Sequence, residues 1–193
     1  MATQKFKIYN TSDVIHVIKK RSCYHVFVDD KKPWIITSGI SNVVTIYDDS
    51  KYQKPYTQMV IELSPCDLEI IRNIEDKIEK TMENELSGKT IENVCLTEKG
   101  IESIFCKTSD NTMKVNVSPD WCDFFDMQKN KVPFESISMF STFKFVLEPT
   151  FCWFMNSRLG IHWKTVQIKH QEQEQKPFSL IDLMDDDDDD LGC

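Results

Sequence analysis

The sequence predicts a mainly β domain of the α+β class, with one long helix, one short helix and a disordered acidic C-terminal tail. Short segments rich in β-branched and aromatic residues recur through the first 60 positions, at spacings of about 8–12 residues. The hydrophobic fraction of 40% is sufficient for a packed core. Six consecutive aspartates lie near the end of the sequence, and because they have no apolar surface to bury they are not expected to join a core.

Four strands are predicted in the N-terminal third. Their residues are those that favour a pleated surface, and the breaks "DDKK" and "SGIS" between them hold turn-forming residues. The predicted strands cover residues 23–28, 33–38, 42–47 and 56–63. Short strands in this spacing are typical of a small barrel or sandwich.

A long helix is predicted to begin after Ser64. Ser64 is a good N-cap, Pro65 suits the first helical position, and Asp67 is an acid in the positively polarised first turn. Gly88 is a plausible end. One apolar stripe follows the helical period: Ile71, Ile74, Ile78 and Met82. The other face is acidic, and we expect it to be solvated: Glu69, Glu75, Asp76, Glu79, Glu83 and Glu85.

The second half of the chain predicts further strands, one short helix and a terminal hairpin. The strands cover residues 90–96, 100–108, 111–117 and 137–148, and the short helix covers 121–128 after the cap-like "SPD". The hairpin pairs residues 151–155 with 161–169 around the turn "NSRLG". From Gln171 onward the sequence is a polar linker and tail, which predicts a folded domain over 1–170 and a disordered segment over 171–193.

Charge is partitioned along the chain, so the net charge of −8 is misleading. Residues 178–193 contain seven acids and no base, and the other 177 residues carry 24 acids and 23 bases. Within that body, residues 1–60 and 129–170 each have a net charge of +4, and residues 61–128 have −8. If the two basic segments share a face, that face attracts polyanions.

No motif of an enzyme or a metal site is present. The sequence lacks a phosphate-binding loop, a dinucleotide fingerprint and a zinc-protease motif. Seven cysteines include no C-x-x-C pair, and most lie in apolar surroundings, where a thiol acts as a small core residue. We therefore expect a non-enzymatic protein without metal or cofactor. No apolar run suits a membrane span or a signal peptide, which predicts an intracellular, soluble protein.

Aromatic and basic residues alternate near the C-terminal end of the body. Aromatic faces stack on unpaired bases, and lysine or arginine beside them neutralises phosphates. A core also needs large aromatics, and we expect about half of these rings to be buried. The candidate nucleic-acid-binding residues are Phe143, Lys144, Phe145, Trp153, Arg158, Trp163, Lys164 and Lys169, together with Lys19, Lys20 and Arg21.

The acidic tail is the complement of this basic, aromatic segment. A tethered polyanion acts at high effective concentration, so it can occupy a cationic groove when nucleic acid is absent, and recruit a partner when the strand displaces it. Its apolar residues offer that partner surface to bury. The candidate partner-binding residues are Phe178, Leu180, Ile181, Leu183, Asp185, Asp186, Asp187, Asp188, Asp189 and Asp190. The simpler alternative is a solubilising tail.

These features together resemble the OB-fold single-stranded-DNA-binding proteins of bacteriophages and large DNA viruses. The hairpin "FCWFMNSRLGIHWKTVQIKH", with its "G-I-x-W-K", looks like the closing hairpin of viral replication single-strand binders. The resemblance implies an OB-like β-barrel that binds single-stranded DNA without strong sequence preference. It also implies a role in replication or recombination, replication or recombination proteins as partners of the tail, and a location in the host cytoplasm or nucleus.

A second hypothesis belongs to another class. The chain would then be a non-enzymatic protein-interaction or virion structural protein, recruited through its acidic tail, whose aromatic residues are simply core. The two hypotheses differ in one feature that the sequence cannot supply, namely whether the basic segments 1–60 and 129–170 lie on the same surface.

Overall fold

A computed structural model describes residues 6–21, 23–37, 41–47, 56–91, 94–95, 98–108, 110–136 and 142–171. The predicted linker and tail from residue 172 lie outside these described residues. The strands are β1 (Phe6–Ile8), β2 (His16–Lys20), β3 (Cys23–Phe27), β4 (Lys32–Ile36), β5 (Ser41–Tyr47), β6 (Thr57–Glu62), β7 (Thr90–Ile91), β8 (Val94–Cys95), β9 (Thr112–Val117), β10 (Asp123–Phe125), β11 (Thr142–Met155) and β12 (Arg158–Gln171). The same described residues also form the α-helices α1 (Pro65–Leu86) and α2 (Glu98–Ile104).

Five of these strands pair in a closed ring. β11 pairs antiparallel with β12 and with β5, β5 with β6, and β6 with β9, and the parallel pairing of β9 with β12 closes the ring. The other strands of the mixed sheet extend from it: β3 and β4 pair with β11, β2 with β3, β1 with β4, and β10 with β12. The chain is therefore mainly β, as the sequence predicts.

The hydrophobic core fills the ring and continues under α1. Inward-facing side chains of three ring strands have no measurable exposure: Met59, Ile61, Val115, Phe145 and Leu147. The predicted apolar stripe of α1 is fully buried in the same cluster: Ile71, Ile74, Ile78 and Met82. Burial of each such side chain contributes about 1.5–3 kcal/mol, so this cluster supplies much of the stability of the fold.

The beginning of α1 matches its sequence signals. The Ser64 hydroxyl accepts a hydrogen bond from the Asp67 backbone N–H at 3.2 Å, and Pro65 occupies the first turn. The expectation of a solvated acidic face is wrong for two of its residues, because Glu75 and Glu79 are 2% and 7% exposed. Lys107 lies 2.7 Å from the Glu79 carboxylate, so the loop after α2 covers part of this face.

Two elements differ from the prediction. Residues 100–108 were expected as a strand, but Glu98–Ile104 is the helix α2, which buries Ile101 against α1. Residues 121–128 were expected as a short helix, but the cap-like Ser118 begins only a single turn and Asp123–Phe125 becomes β10. The parallel pairing of β10 with β12 satisfies backbone groups that a helix would satisfy internally, which local sequence patterns do not reveal.

Five of the remaining strand predictions are confirmed to within a few residues: β3, β4, β5, β6 and β9. Residues 90–96 hold two short strands, β7 and β8, where one was expected. The strand predicted over 137–148 is the first part of β11, which continues to Met155, and residues 137–141 of that prediction lie outside the described residues. The terminal hairpin is also confirmed. Its turn places Asn156 and Ser157 at φ 53° and 57°, the left-handed pair that suits a tight hairpin turn. Strands β1 and β2 were not predicted.

Replacement of the N-cap residue tests the origin of α1. Ser64→Ala removes the acceptor for the Asp67 N–H, and we expect the free energy of unfolding to fall by about 1 kcal/mol. Ser87→Ala is the matched control, because Ser87 is an exposed residue at the other end of the same helix. Urea denaturation followed by circular dichroism measures both. Equal losses for the two variants would contradict the role of Ser64 as a cap.

Candidate nucleic-acid interface

An irregularity in β11 decides which face its later side chains occupy. Pro149 pairs with Trp163 and Phe151 pairs with His162, so Thr150 is an extra residue without a partner in the ladder. Before it, Phe145 and Leu147 point into the core; after it, Cys152 does. Phe151 would face the core if the strand alternated regularly, and the bulge turns it outward.

The outward face then carries five aromatic rings in succession, here called the five-ring strip: His25, Phe151, His162, Tyr56 and Trp121. The His25 and Phe151 centroids are 6.1 Å apart, and the Phe151 and His162 rings are stacked at 4.6 Å with an interplanar angle of 8°. Tyr56 lies 5.9 Å from His162 and 6.2 Å from Trp121. All five rings are half-buried, so the strip is held in place and still reaches the surface.

Different elements supply these rings, and the sheet brings them together. His25 lies on β3, which pairs with β11 at Phe151 itself. His162 lies opposite Phe151 on β12. Tyr56 precedes β6, and Trp121 ends the turn after β9, in which its N–H bonds to the Ser118 carbonyl. Five separate segments of sequence therefore meet on one surface.

Three lysines border the strip. The Lys164 ammonium lies 5.4 Å from the centre of the Trp121 ring, within cation–π range. At the His25 end, the ammonium groups of Lys20 and Lys32 lie 4.3 Å and 5.0 Å from the Phe27 ring. The pKa of Lys32 is lowered, first by burial and also by repulsion from Lys20 and Lys164, although Glu148 opposes the shift. Lys32 therefore lies close enough to both Lys20 and Lys164 to feel their charges.

This arrangement answers the question of charge distribution raised by the sequence. Lys20 and Lys32 belong to the first basic segment and Lys164 to the second, and Lys32 lies close enough to the other two to be repelled by both. Glu148 is 8% exposed and lies 3.8 Å from Lys32, and it accepts a hydrogen bond from the Trp34 indole at 3.0 Å. Parts of both basic segments thus share one surface.

His162 is oriented by the bulged residue. The Thr150 hydroxyl donates to the His162 carbonyl at 2.9 Å and contacts its Nδ1 at 2.8 Å. Because a hydroxyl has a single hydrogen, this pair of contacts assigns the ring proton to Nδ1. Burial lowers the pKa of His162, and Lys164 lowers it further. Burial, Lys32 and Lys20 lower the pKa of His25 in the same direction. Both rings therefore favour the neutral form, which stacks without repelling the lysines.

Three of the predicted aromatic residues do not reach this surface. Phe143, Phe145 and Trp163 are 4%, 0% and 4% exposed, because alternation before the bulge points the two phenylalanines into the ring and alternation along β12 points Trp163 inward. None of them reaches the five-ring strip, which corrects their assignment as stacking residues of this surface. Trp153 is half-buried, and its indole lies across Gly160.

The predicted cations are distributed over several places. Lys20 and Lys164 border the strip. Lys144 and Lys169 are cross-strand partners farther along the same hairpin. Lys19 lies 5.7 Å from the Tyr24 ring, on the opposite face of β2 from Lys20, and Arg21 and Arg158 are exposed near turns. The predicted tail residues Phe178, Leu180, Ile181, Leu183 and Asp185 to Asp190 lie outside the described residues.

Sequence reasoning missed His25, Tyr56, Trp121 and His162 because none of them stands out locally. Each is an isolated residue on a separate element, and only strand register brings it to the strip. One signal was available for Phe151: Pro149 cannot donate a ladder hydrogen bond, and proline within a strand often marks a bulge. The side chains that follow Pro149 therefore need not continue the alternation between the two faces of the strand.

The described part of the chain shows neither a metal site nor a membrane-spanning helix. It holds no group of three or more His, Cys, Asp or Glu side chains placed to bind a metal ion. No α-helix within it is long and apolar enough to cross a membrane. Burial raises the pKa of the Cys122 and Cys152 thiols to about 12, so these two cysteines are inert core residues, as predicted.

The lowered pKa of His162 predicts a loss of stability in acid. The folded chain binds fewer protons than the unfolded chain below the ordinary histidine pKa of 6.5, so the free energy of unfolding is full above that value and falls as the pH drops through it. His162→Gln should reduce this pH dependence, with His25 supplying what remains. Urea unfolding at about pH 7.5 and 5.5 measures the difference for both proteins. An unchanged pH dependence in the variant would contradict the assignment.

Comparisons with solved structures find the single-stranded DNA-binding protein from bacteriophage Enc34. The structure in complex with ssDNA has a TM-score of 0.47 and 11% identity, covering 85% of this chain and 97% of that chain. The protein without a stated ligand gives 0.47, 12%, 82% and 90%, and a C-terminal truncation gives 0.48, 11%, 83% and 96%. Similarity of this degree assigns no ligand to the present chain, so none is inferred from it.

Sequence comparisons place the chain in a family without giving it a function. No curated protein matches it. One family model matches residues 42–179, which include most of the ring strands, both helices and the residues Tyr56, Trp121, Phe151 and His162 of the strip. The chain belongs to this family, the Family of unknown function (DUF5871).

Proposed function

We propose that this protein binds single-stranded DNA through the five-ring strip, without strong sequence preference and without catalysing a reaction. The observation that carries the proposal is the juxtaposition of five half-buried rings with Lys20, Lys32 and Lys164 on one outward surface. Aromatic faces stack with any base, and ammonium groups neutralise any phosphate, so neither contact depends on sequence.

The charge arrangement favours a polyanion as the ligand. In the free protein Lys20 and Lys164 both repel Lys32, and this repulsion adds to the lowering of the Lys32 pKa that burial causes first. A phosphate placed between them would replace repulsion with attraction and release counterions from the strand. The ligand that suits the rings is single-stranded, because the bases of a duplex are already stacked and do not offer their faces.

The broader assignment follows from the same interface. We propose that the closed ring of five strands is an OB-like barrel within a nucleic-acid-binding domain over residues 1–170. A non-specific single-strand binder of this type would act in DNA replication or recombination, and in a large DNA virus or phage it would work in the host cytoplasm or nucleus. Binding to oligo-dT tests the proposed ligand, and it does so independently of the biological role.

We also propose a function for the acidic tail. Residues 178–193 contain seven acids and no base, and a tethered segment of that charge is attracted by the lysines around the strip. In the free protein the tail would compete with DNA for this surface. Once the strand displaces the tail, its apolar and acidic residues would be available to a replication or recombination protein.

The role of the strip predicts that Phe151 contributes to strand binding. Phe151→Leu removes a stacking face and keeps an apolar side chain, so binding to an oligo-dT strand should weaken by on the order of 1 kcal/mol. Phe154→Leu is the matched control, because Phe154 is also half-buried on β11 and packs against the core. Fluorescence anisotropy at two salt concentrations measures both, and binding should weaken as salt increases.

Two outcomes would contradict this prediction. Absence of oligo-dT binding at low salt would remove the proposed ligand. Equal losses for Phe151→Leu and Phe154→Leu would show that binding responds to general damage of the strand and not to the strip. Thermal unfolding of both variants separates such damage from the loss of a contact.

Deletion of the tail tests the proposed competition. A chain ending at residue 177 loses seven negative charges, and its affinity for oligo-dT should rise, most strongly at low ionic strength where the tethered attraction is least screened. Folding stability should hardly change, since a run of aspartates buries no apolar surface. A salt series compares the two chains.

The alternative function gives a different result in the same experiment. If the chain is a protein-interaction or virion structural protein, deletion removes one protein partner in a pull-down and no oligo-dT binding exists to change. Equal strand affinity of the two chains throughout the salt series would reject autoinhibition and leave recruitment as the function of the tail.

A further inference from the structure

A cavity lies near the five-ring strip, at the place where β12 separates from β9. The two strands pair at Lys164 and Asn116, and β12 is next joined on this side at Leu159, which bridges to Phe105. Between these two points the described residues leave a cleft of about 290 Å³. This volume is at the lower end of the range for small-molecule sites, and it suits a single planar ring system.

One wall of the cleft is aromatic. Trp153 and the buried Trp163 both line it, next to apolar side chains such as Ile161 and Met113. Gly160 makes this position of Trp153 possible, because a Cβ at residue 160 would lie 2.4 Å from an indole carbon of Trp153. The half-buried Trp153 can therefore present a ring face to the cleft. It follows Phe151 of the strip by two residues, about 7 Å along β11.

A buried carboxylate also lines the cleft. Glu75 of α1 is 2% exposed and lines the cleft. Its Oε1 accepts hydrogen bonds from the Thr108 hydroxyl at 2.7 Å and the Thr108 N–H at 3.2 Å, and its Oε2 accepts from the same N–H at 3.0 Å. A carboxylate has about four acceptor positions, so the bonds described leave one on Oε2. Burial raises the pKa of Glu75, as expected for a carboxyl group held away from water.

A basic residue lies at the same cleft. Lys114 on β9 is exposed, lines the cleft, and has its ammonium 5.7 Å from the Tyr47 ring. The cleft thus combines a stacking face, a cation and an acceptor. These three groups match the parts of a nucleotide. The stacking face suits the base, the cation suits the phosphate, and the acceptor suits an N–H donor at the edge of the base.

We propose that this cleft takes one base of the bound strand, turned out of the stack, and prefers a base with an exocyclic amine to thymine. Trp153 stacks on the base, and Glu75 Oε2 accepts a hydrogen bond from the amine. Thymine has carbonyl groups on both sides of its ring N–H, and these would meet the acceptor-only carboxylate unfavourably. The inference rests on the proposed strand binding and adds a modest base preference to it.

Three pyrimidine oligomers of equal length test this inference on the full chain. Cytosine carries an amine where thymine and uracil carry a carbonyl, and uracil controls for the thymine methyl group. We expect oligo-dC to bind about tenfold more tightly than oligo-dT or oligo-dU, since one hydrogen bond to a charged acceptor distinguishes them. Competition anisotropy gives the three affinities without any variant, so the test does not depend on the folding of a mutant.

Variants then locate the preference. In Glu75→Gln the amide can donate to a carbonyl, so the preference for oligo-dC should disappear while oligo-dT binding is retained. Trp153→Leu should weaken oligo-dC binding more than oligo-dT binding. Phe151→Leu in the strip is the control, and it should weaken both oligomers by the same factor.

The outcomes separate this inference from the proposed function. Equal affinity of the unmodified chain for oligo-dC, oligo-dT and oligo-dU would overturn the base site and leave strand binding intact. Absence of binding to all three would overturn strand binding itself. A preference for oligo-dC that survives Glu75→Gln would also overturn the assignment of the cleft, because the discrimination would then arise elsewhere.

Discussion

The structure depends on the pairing of β11 with β12. These two strands form the longest hairpin of the described chain, and most other strands of the large sheet pair with one of them. Along its length β11 pairs first with β5, then with β4 and then with β3, while β12 pairs with β9 and β10. A strand with this many neighbours needs changes of direction, and the two register shifts of the hairpin provide them.

The bulge at Thr150 connects this architectural need to the surface chemistry. It bends the strand, turns Phe151 outward, and supplies the hydroxyl that orients His162. The Thr150 carbonyl oxygen also lies 3.4 Å from the Lys32 ammonium. A single irregular residue thus positions two rings and one cation of the candidate interface, and a binding role gives a physical reason for an irregular ladder at this point.

The interface is costly to the free protein in a way that a ligand would offset. Lysines held beside apolar rings lose hydration, and both Lys32 and the neighbouring histidines have lowered pKa values as a result. The hydrophobic core gains nothing from this clustering, because Phe145, Leu147 and the α1 stripe are already buried beneath it. Such an arrangement is typical of functional surfaces, where charge is positioned for a partner.

The sequence alone determined the features that depend on neighbouring residues. The N-cap and apolar stripe of α1, the tight turn of the terminal hairpin, most strands and the partition of charge all follow from local chemistry, and the structure shows the same helix, turn and strands. The mainly β fold class follows from the same local patterns. The partition of charge identified the two basic segments, but only the structure shows that parts of them lie on one face.

Only the tertiary structure decided which aromatic residues are available to a ligand. Phe143, Phe145, Phe151 and Trp163 look equivalent in the sequence, and a one-residue change of register at Thr150 separates those in the core from the one at the surface. Residues 98–104 and 123–125 took the opposite structure from the prediction, because α1 and β12 supplied packing and backbone partners from distant parts of the chain. A strand has a period of two, so a single inserted residue exchanges its two faces, and long-range pairing selects where that insertion occurs.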